Sequence, residues 1–527
     1  MIVQENKSSL FWKKLLLLIP VFVSMFVFVR ILAFPSESVN PRQAGENLFG
    51  VFYKYQGEIY ADYWRVHDVD IATFRLLDKE NGDKHIAVDK NHVYAGYQIL
   101  PDLDPKKTVA LGSGYYSDGN TTYYSGGGYI RNESLPWWKE VPEIILHSLF
   151  NYEQTPNQVY PFVKLPKSDS PYFLATIDVI PIIKGNINIA SVPTFKVLTN
   201  GQQVYYDGLL MEDANWQSLF QLRMIRSNGM IAESRQYFSD GRHIYHTNQK
   251  LALPYNDEIY SIAMSGFYAG KEYILNPKDG MVYIADFAFD KDHAPYSPTS
   301  SYNDNVYHGL FSSNDGIYFY DDESKKVKRA GDNLFLNQHF KEIAPLVFSD
   351  GKRTLFISTK EEHYHAYKNG GIGTTYYATF IGELDAGLNN NWEPIGETRN
   401  GSVWKNGSRY FYFDEYDLKR LISEKISDLQ RGESAEIIRN IIYEIKNEQI
   451  AKELLQSSHE ENKAKELLEK GDLIPVKFNE KLEAFSTPDK MAYFLKKYIN
   501  FNYIMVFMFL GIVIITISGH RKKRKKL

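Results

Sequence analysis

Three patterns of apolar and polar positions succeed one another along the 527 residues. Near the start, Lys13 and Lys14 precede an apolar run over residues 15–29, which resumes after Arg30 with Ile31, Leu32, Ala33 and Phe34. Residues 15–34 have the roughly 20 positions a helix needs to cross the hydrocarbon, with Arg30 near one end where its charged head can snorkel. Pro20 is no obstacle, because transmembrane helices tolerate proline. This stretch predicts a signal anchor; its short apolar core, with Ala33 near the end, leaves a cleaved signal peptide as the alternative. Residues 501–519 carry no charge and predict a second transmembrane helix, followed by Arg521, Lys522, Lys523, Arg524, Lys525 and Lys526. Such a basic stop stays in the cytoplasm. The tail 520–527 and residues 1–14 are therefore expected inside, and everything between the two spans outside.

Over residues 50–414 the pattern changes to short alternating runs punctuated by one phrase: Asp, Asn and Gly, then a β-branched residue, then one or two aromatics. Examples are Asp89-Lys90-Asn91-His92-Val93-Tyr94, Asp118-Gly119-Asn120-Thr121-Thr122-Tyr123-Tyr124, Asn200-Gly201-Gln202-Gln203-Val204-Tyr205-Tyr206, Ser239-Asp240-Gly241-Arg242-His243-Ile244-Tyr245 and Asp350-Gly351-Lys352-Arg353-Thr354-Leu355-Phe356. Asp, Asn and Gly reach the positive φ of tight turns, and Val or Ile followed by Tyr starts a strand, so each phrase specifies a hairpin locally. The downstream copies at Val204, Ile244, Val282, Ile317, Leu355 and Val403 recur every 35 to 48 residues. That spacing suits a propeller or a stacked β-meander, although any all-β chain turns often. The 39 Tyr and 32 Phe reinforce the β reading, since aromatics fit a pleated, half-buried surface.

One copy carries a resemblance. Asp89-Lys90-Asn91-His92-Val93-Tyr94, followed by Leu100-Pro101-Asp102-Leu103-Asp104-Pro105, resembles a unit of the DKNYY family of bacterial envelope proteins, which repeat an Asp-Lys-Asn-x-Val-Tyr-Tyr phrase; Ala95 stands where the second Tyr belongs. The resemblance is clear over about residues 53–128. It implies an envelope location and a repeat architecture, and brings no activity with it.

Beyond Asp414 the aromatics thin out. Leu418, Leu421, Ile422, Ile426 and Leu429 recur at helical spacing, and Ile437, Ile438, Ile441, Ile442, Ile445, Ile450 and Leu454 suggest a second amphipathic helix. A charged helix follows near Glu460 to Lys470, and Ser486-Thr487-Pro488-Asp489 reads as the cap of a last helix running into the membrane. Residues 415–500 are thus expected to form a helical stalk. The fold expected is mainly β, built of repeated hairpins in a meander or propeller, with this stalk and two transmembrane helices.

Charge narrows the partners. The net charge is −4, and since residues 1–14 carry +2 and the tail six positive charges, the remainder carries −12. An acidic ectodomain argues against nucleic acid, whose binding rests on Lys and Arg neutralising phosphate. The chain has no cysteine, which excludes disulfides, thiolate metal sites and thiol nucleophiles, and fits a bacterial envelope protein.

Candidate chemistry is sparse. There is no nucleophile-elbow Gly-x-Ser-x-Gly, no phosphate loop of the Walker type and no His-Glu-x-x-His. The glycine-rich stretch 112–128 lacks a following helix to hold a phosphate and reads as loop. His363-Tyr364-His365 would put two imidazoles on one strand face beside Glu361 and Glu362, a metal site only with a third ligand. Asp102-Leu103-Asp104 and Asp321-Asp322-Glu323 could offer calcium oxygen ligands but lack EF-hand spacing, and acidic turns are the ordinary alternative. The tyrosine pairs Tyr115-Tyr116, Tyr123-Tyr124 and Tyr205-Tyr206 place one ring on each sheet face, and so offer a rigid amphipathic recognition surface or a core on both sides.

No cofactor is implied. The expectation is an inner-membrane protein that displays a β-repeat module, outside the cytoplasm, to an envelope protein or a glycan. The alternative is an envelope hydrolase whose carboxylates gather in a propeller-like pocket.

Overall fold

A computed structural model describes residues 41–488, except 79–82, 151, 180–194, 227–229, 265–270, 301, 303–305, 337–338, 366–371, 386–390, 415–428 and 430–432. Among these residues the chain is mainly β, with few helices. No helix among them is long and apolar enough to cross a membrane. The two predicted spans, 15–34 and 501–519, lie outside the described residues.

The expected single β domain divides into two units, residues 1–220 with 247–250, and 221–246 with 251–527. In the first unit the recurring object is a four-stranded antiparallel meander. One runs through Glu46–Phe49, Phe52–Tyr55, Glu58–Ala61 and Trp64–Arg65, and the next through Arg75–Leu76, Ile86–Val88, Val93–Ala95 and Gln98–Leu100. A third joins Val109–Gly112, Tyr115–Ser117 and Thr122–Ser125 to Phe162–Lys164. The chain between its last two strands forms the two-stranded ribbon Ile130–Arg131 and Gln158–Val159 and the helix Trp137–Phe150. Phe173–Val179, Phe195–Thr199, Val204–Tyr206 and Leu209–Met211 follow in the same antiparallel order.

The repeated phrase folds by side-chain acceptance of backbone protons. Asp118 Oδ1 accepts from the N–H groups of Asn120 (2.8 Å) and Thr121 (2.7 Å), while Ser117 Oγ accepts from Gly119 N (3.1 Å). Asn200 and Thr199 repeat this at Gln202 (3.0 Å), Gln203 (2.8 Å) and Gly201 (3.0 Å). In the second unit Asp350 and Ser349 do so again at Lys352 (2.8 Å), Arg353 (2.7 Å) and Gly351 (3.2 Å). The Gly of each phrase has positive φ: +91° at Gly119, +88° at Gly201 and +84° at Gly351. A hydroxyl, an Asx carboxyl or amide oxygen and a glycine thus close the hairpin through contacts within three residues.

These carboxylates make the fold acid-sensitive. Burial opposes charge on Asp89, Asp118, Asp240 and Asp350, but donated N–H groups outweigh it and hold their pKa values below the ordinary 3.8. A group depressed in the folded state contributes stability above its unfolded pKa and loses it as pH falls through the folded value. Melting temperature is therefore expected to drop as pH is lowered from about 5 into the range below 4. Variants D118N and D350N cannot titrate and keep the oxygen that accepts from the turn N–H groups, giving up the bonds that Oδ2 accepts from Asp104 N and from Arg353. They should melt lower at neutral pH but show a shallower drop across that range.

In the second unit, Tyr260–Met264, Lys271–Asn276, Met281–Ile284 and Phe287–Ala288 form an antiparallel run, followed by the meander Ser297–Pro298, Phe311–Ser312, Ile317–Asp321 and Lys326–Gly331. A sheet ordered Lys341–Ala344, Val347–Ser349, Thr354–His365, Ile372–Leu384, Phe478–Ser486 also takes Ser434–Arg439 onto Thr354–His365. A five-stranded sheet runs Trp392–Glu397, Gly401–Asn406, Arg409–Asp414, Ile442–Ile445, Leu473–Pro475.

The last two sheets correct the helical stalk. Ile437 and Ile438 lie in the strand Ser434–Arg439, and Ile442 and Ile445 in the strand Ile442–Ile445. Asn440 at φ +52° turns the chain between them, and β-branched Ile suits strands better than helix. Among the described residues after Asp414, helix begins at Glu448–Gln456, where Asn447 accepts from Ile450 N, and continues in Glu460–Glu469. Residues 478–486, expected in the stalk, form a strand on Ile372–Leu384. Most of 415–433, and 489–500, lie outside the described residues.

Candidate functional site

The six tyrosines, read as a recognition surface or as core on both sheet faces, are mainly core. Tyr115 pairs with Tyr124 and Tyr116 with Tyr123 across two antiparallel strands, so alternate rings leave opposite faces of the sheet. Both faces are covered: Tyr116 and Tyr123 pack with Ile86, Val88 and Val93, and Tyr115 with Leu165, Leu198 and Tyr205. Tyr115, Tyr116, Tyr123 and Tyr205 are each 1–2% exposed. Their hydroxyls are used internally. Tyr116 donates to Asp83 Oδ2 (2.7 Å), and Tyr115 donates to the Tyr205 carbonyl (3.3 Å) while accepting from Gly208 N (3.0 Å). Tyr124 and Tyr206 are half-buried; Tyr124 donates to Asp207 (3.0 Å), and burial, with Asp207 beside it, pushes the Tyr206 phenol up to about 12. A chain with aromatics on both sides of each strand needs apolar cover on both sides, and the neighbouring meanders supply it.

His363 and His365 do not gather a ligand set: among the described residues no group of three or more His, Cys, Asp or Glu is placed to hold a metal ion. Instead His363 Nε2 lies 3.0 Å from Glu361 Oε1, and Arg439 Nε donates to that same oxygen at 2.7 Å. Tyr307 OH donates to the other carboxylate oxygen. Glu361 is 1% exposed, and burial alone would favour its neutral form; His363, Arg439 and Tyr307 together hold it below the ordinary carboxylate range. Residues 307, 361 and 439 meet because Ser434–Arg439 lies on Thr354–His365 in register Thr359↔Arg439 and Glu361↔Ile437.

A second buried cluster has no signature in the linear sequence. His308 Nε2 lies 2.8 Å from Ser486 Oγ, and Ser486 donates to Asp321. Pairing of Phe478–Ser486 with Ile372–Leu384 brings Ser486 to this place. Because the single Ser486 proton goes to Asp321, His308 must donate from Nε2, and its Nδ1 is buried without a hydrogen-bond partner. The order is the reverse of a hydrolytic triad, in which the imidazole takes the serine proton and the carboxylate orients the imidazole. Burial, with Lys271 adding to it, pushes the His308 pKa down to about 3, so the ring stays neutral. Asp321, proposed with Asp322 as a calcium ligand, is 2% exposed and meets Lys328 Nζ at 2.5 Å and Ser324 Oγ at 2.6 Å, while Asp322 pairs with Lys271. Asp102 forms an exposed ion pair with Lys164 (2.6 Å), and Asp104 accepts from Lys106 N (2.9 Å), an ordinary turn contact.

The open concavity lies elsewhere in the second unit. A cleft of about 410 Å³ is lined by Ile343, Ala344 and Pro345 on one side and by Pro394–Glu397, Thr398, Gly401, Ser402 and Trp404 on the other. Its walls are the terminal strands of two sheets: among the described residues Lys341–Ala344 pairs only with Val347–Ser349, and Trp392–Glu397 only with Gly401–Asn406. The register slips between Pro394 and Gly396, and Ile395 at that bulge is 42% exposed. Pro345 and Pro394 fit the usual blunting of sheet edges. Trp404 donates from Nε1 to Ser402 Oγ (2.9 Å). The hairpin beside the cleft is fixed by Glu460, whose carboxylate accepts from Asn400 N (3.0 Å), Tyr412 OH (2.8 Å) and Thr398 OH. Sequence reading missed this cleft because its residues are ordinary individually and only the pairing order makes two of the strands terminal.

No curated protein matches the chain. Among solved structures, the WD40 domain of SCAP from fission yeast is similar at 10% identity over 71% of this chain and 88% of that one, with a TM-score of 0.14, too low to support an argument about fold. The hairpin phrase that carries Asp89 to Tyr94 is matched within a longer region than residues 53–128. The DKNYY family model matches residues 52–250, the same family that this phrase resembles.

Proposed function

We propose that this protein is held in the bacterial cytoplasmic membrane by residues 15–34 and 501–519, and displays its β units outside the cytoplasm to bind a protein partner. The observation that carries the binding reading is the cleft between the terminal strands Lys341–Ala344 and Trp392–Glu397. Terminal strands offer backbone N–H and C=O groups that an extended peptide satisfies by adding as a further strand, while alternate side-chain pockets give selectivity. Pro394 deprives Trp392–Glu397 of an N–H, so the proline-free strand Lys341–Ala344 is the edge to which the peptide adds. Here Ile343, Ile395, Pro345 and Pro394 supply apolar contacts, and Glu397 and Thr398 a polar margin. The terminal strand at the cleft, more than its mixed lining, favours an extended peptide segment over a glycan. The hydrolase alternative gains no support from the carboxylate clusters, because Glu361 and Asp321 are buried and their oxygens are taken up by Arg439, His363, Tyr307, Ser486, Ser324 and Lys328.

The test is selection of peptides from a random library by the full chain in lipid nanodiscs, followed by titration of an enriched peptide. Variant I395D changes a 42% exposed side chain, so it should leave the melting temperature nearly unchanged and weaken peptide binding at least tenfold. Equal affinity for I395D and the natural chain would rule the cleft out as the binding site.

A further inference from the structure

The helix Trp137–Phe150 in the first unit is amphipathic in the reverse sense to an ordinary surface helix. A surface helix turns its apolar stripe to the core and its charges to water. Here the charged side is the one tied down: Glu140 pairs with Arg131 (2.5 Å), and Glu143 accepts from Thr155 N (2.8 Å) and lies 3.8 Å from Lys139. The outward side carries Trp137 (74% exposed), Trp138 (64%), Val141 (47%) and Ile144 (44%), with spacing i, i+4, i+7 from Trp137. Tyr129 and Ile130, just ahead of this helix, are a further 52% and 53% exposed. So many exposed large apolar and aromatic side chains on one helix and the residues ahead of it mark a contact face.

The geometry points to a lipid bilayer as what covers it, an inference that rests on the membrane-anchored reading above. Between the end of the first span at residue 34 and the first described residue, Pro41, the chain reaches at most about 25 Å. Where it enters the first unit, Arg42 lies 3.9 Å from Asp62, Asp62 accepts from Tyr160 OH (2.6 Å), and the Tyr160 ring packs edge-on to Tyr129 at 6.1 Å. A short series of contacts thus leads from the tether to the exposed aromatic face. Tryptophan and tyrosine side chains favour the headgroup layer, where an apolar ring and a polar N–H or O–H are both accommodated. The flanking carboxylates Glu140 and Glu143 give no attraction to anionic lipid, so the face suits a zwitterionic surface entered by its rings, with charge playing little part.

The chain has no cysteine, so single-cysteine labelling is free of background. The full chain, as variants W138C, W137C, I512C and K352C, would carry an environment-sensitive fluorophore in phosphatidylcholine vesicles with and without spin-labelled lipid. Trp137 and Trp138 are exposed, so neither substitution removes core packing. Quenching by spin-labelled lipid at W137C and W138C, strongest from a shallow label, with quenching at I512C and none at K352C, is the expected result. Quenching at I512C with W137C and W138C as open to an aqueous quencher as K352C would overturn membrane contact at this face while leaving the anchor intact, and a protein or a second copy would then be its occupant. Absence of quenching at I512C would overturn the anchor reading and this inference with it.

Discussion

Replacing Glu361 by alanine is expected to destabilise the protein by roughly 3–5 kcal/mol, the cost typical of removing one partner from a buried ion pair. The carboxylate is 1% exposed and meets Arg439, His363 and Tyr307. Alanine takes the Glu361 charge away from the Arg439 guanidinium, itself only 12% exposed. The midpoint of urea unfolding would report the loss. Replacing both members, E361M with R439M, should cost less than E361A alone, because no charge is then stranded. The pH dependence has a definite sign: Glu361 is held below its ordinary pKa, so its contribution is present above the unfolded value near 4.3 and is lost as pH falls through the lower folded value. E361M/R439M should lack that part of the acid sensitivity. If E361A has the midpoint of the natural chain, the pair contributes nothing to the fold.

Replacing Tyr116 by alanine is expected to cost about 3–5 kcal/mol by emptying a buried aromatic position. Tyr116 is 1% exposed among Ile86, Val88, Val93 and Tyr123. Y116F keeps the ring but deprives Asp83 of the 2.7 Å bond from the hydroxyl, and should cost about 1–2 kcal/mol. These values separate the two readings of the tyrosine pairs. A core residue lowers the melting temperature when removed, whereas a ligand-stacking residue lowers affinity and leaves the melting temperature alone. Peptide affinity in Y116F should be unchanged.

The hairpin phrases were legible because their instructions are local. In Ser117-Asp118-Gly119 and Ser349-Asp350-Gly351 the side chains that close the turn lie within three residues of the N–H groups they accept from, so sequence spacing is also spatial spacing. The β class followed from these turns and from the Val-Tyr or Ile-Tyr that comes after them. The isoleucines near 437–445 were misread because their intervals satisfy a helical period as well as two short strands, and only the turn at Asn440 separates the readings. For the tyrosines, alternation correctly gave one ring per face, but which faces are covered depends on strand neighbours far along the chain, such as Leu165 and Leu198 around Tyr115. Strand spacing put His363 beside Glu361, but its distant partners Tyr307 and Arg439, and the cluster at His308, were invisible for the same reason. The outward tryptophan stripe at 137–144 could have been found, since Trp137, Val141 and Ile144 stand at helical spacing, but periodicity alone does not say whether an apolar stripe faces a core or the outside.

Membrane display is the claim on which binding outside the cytoplasm depends, and labelling of single cysteines in intact cells tests it most directly. K352C sits in an exposed turn of the second unit, and K525C lies in the basic tail. With the outer barrier permeabilised and the cytoplasmic membrane intact, a membrane-impermeant maleimide is expected to label K352C at once and K525C only after lysis. Labelling of K352C only after lysis would place the β units in the cytoplasm and contradict the account.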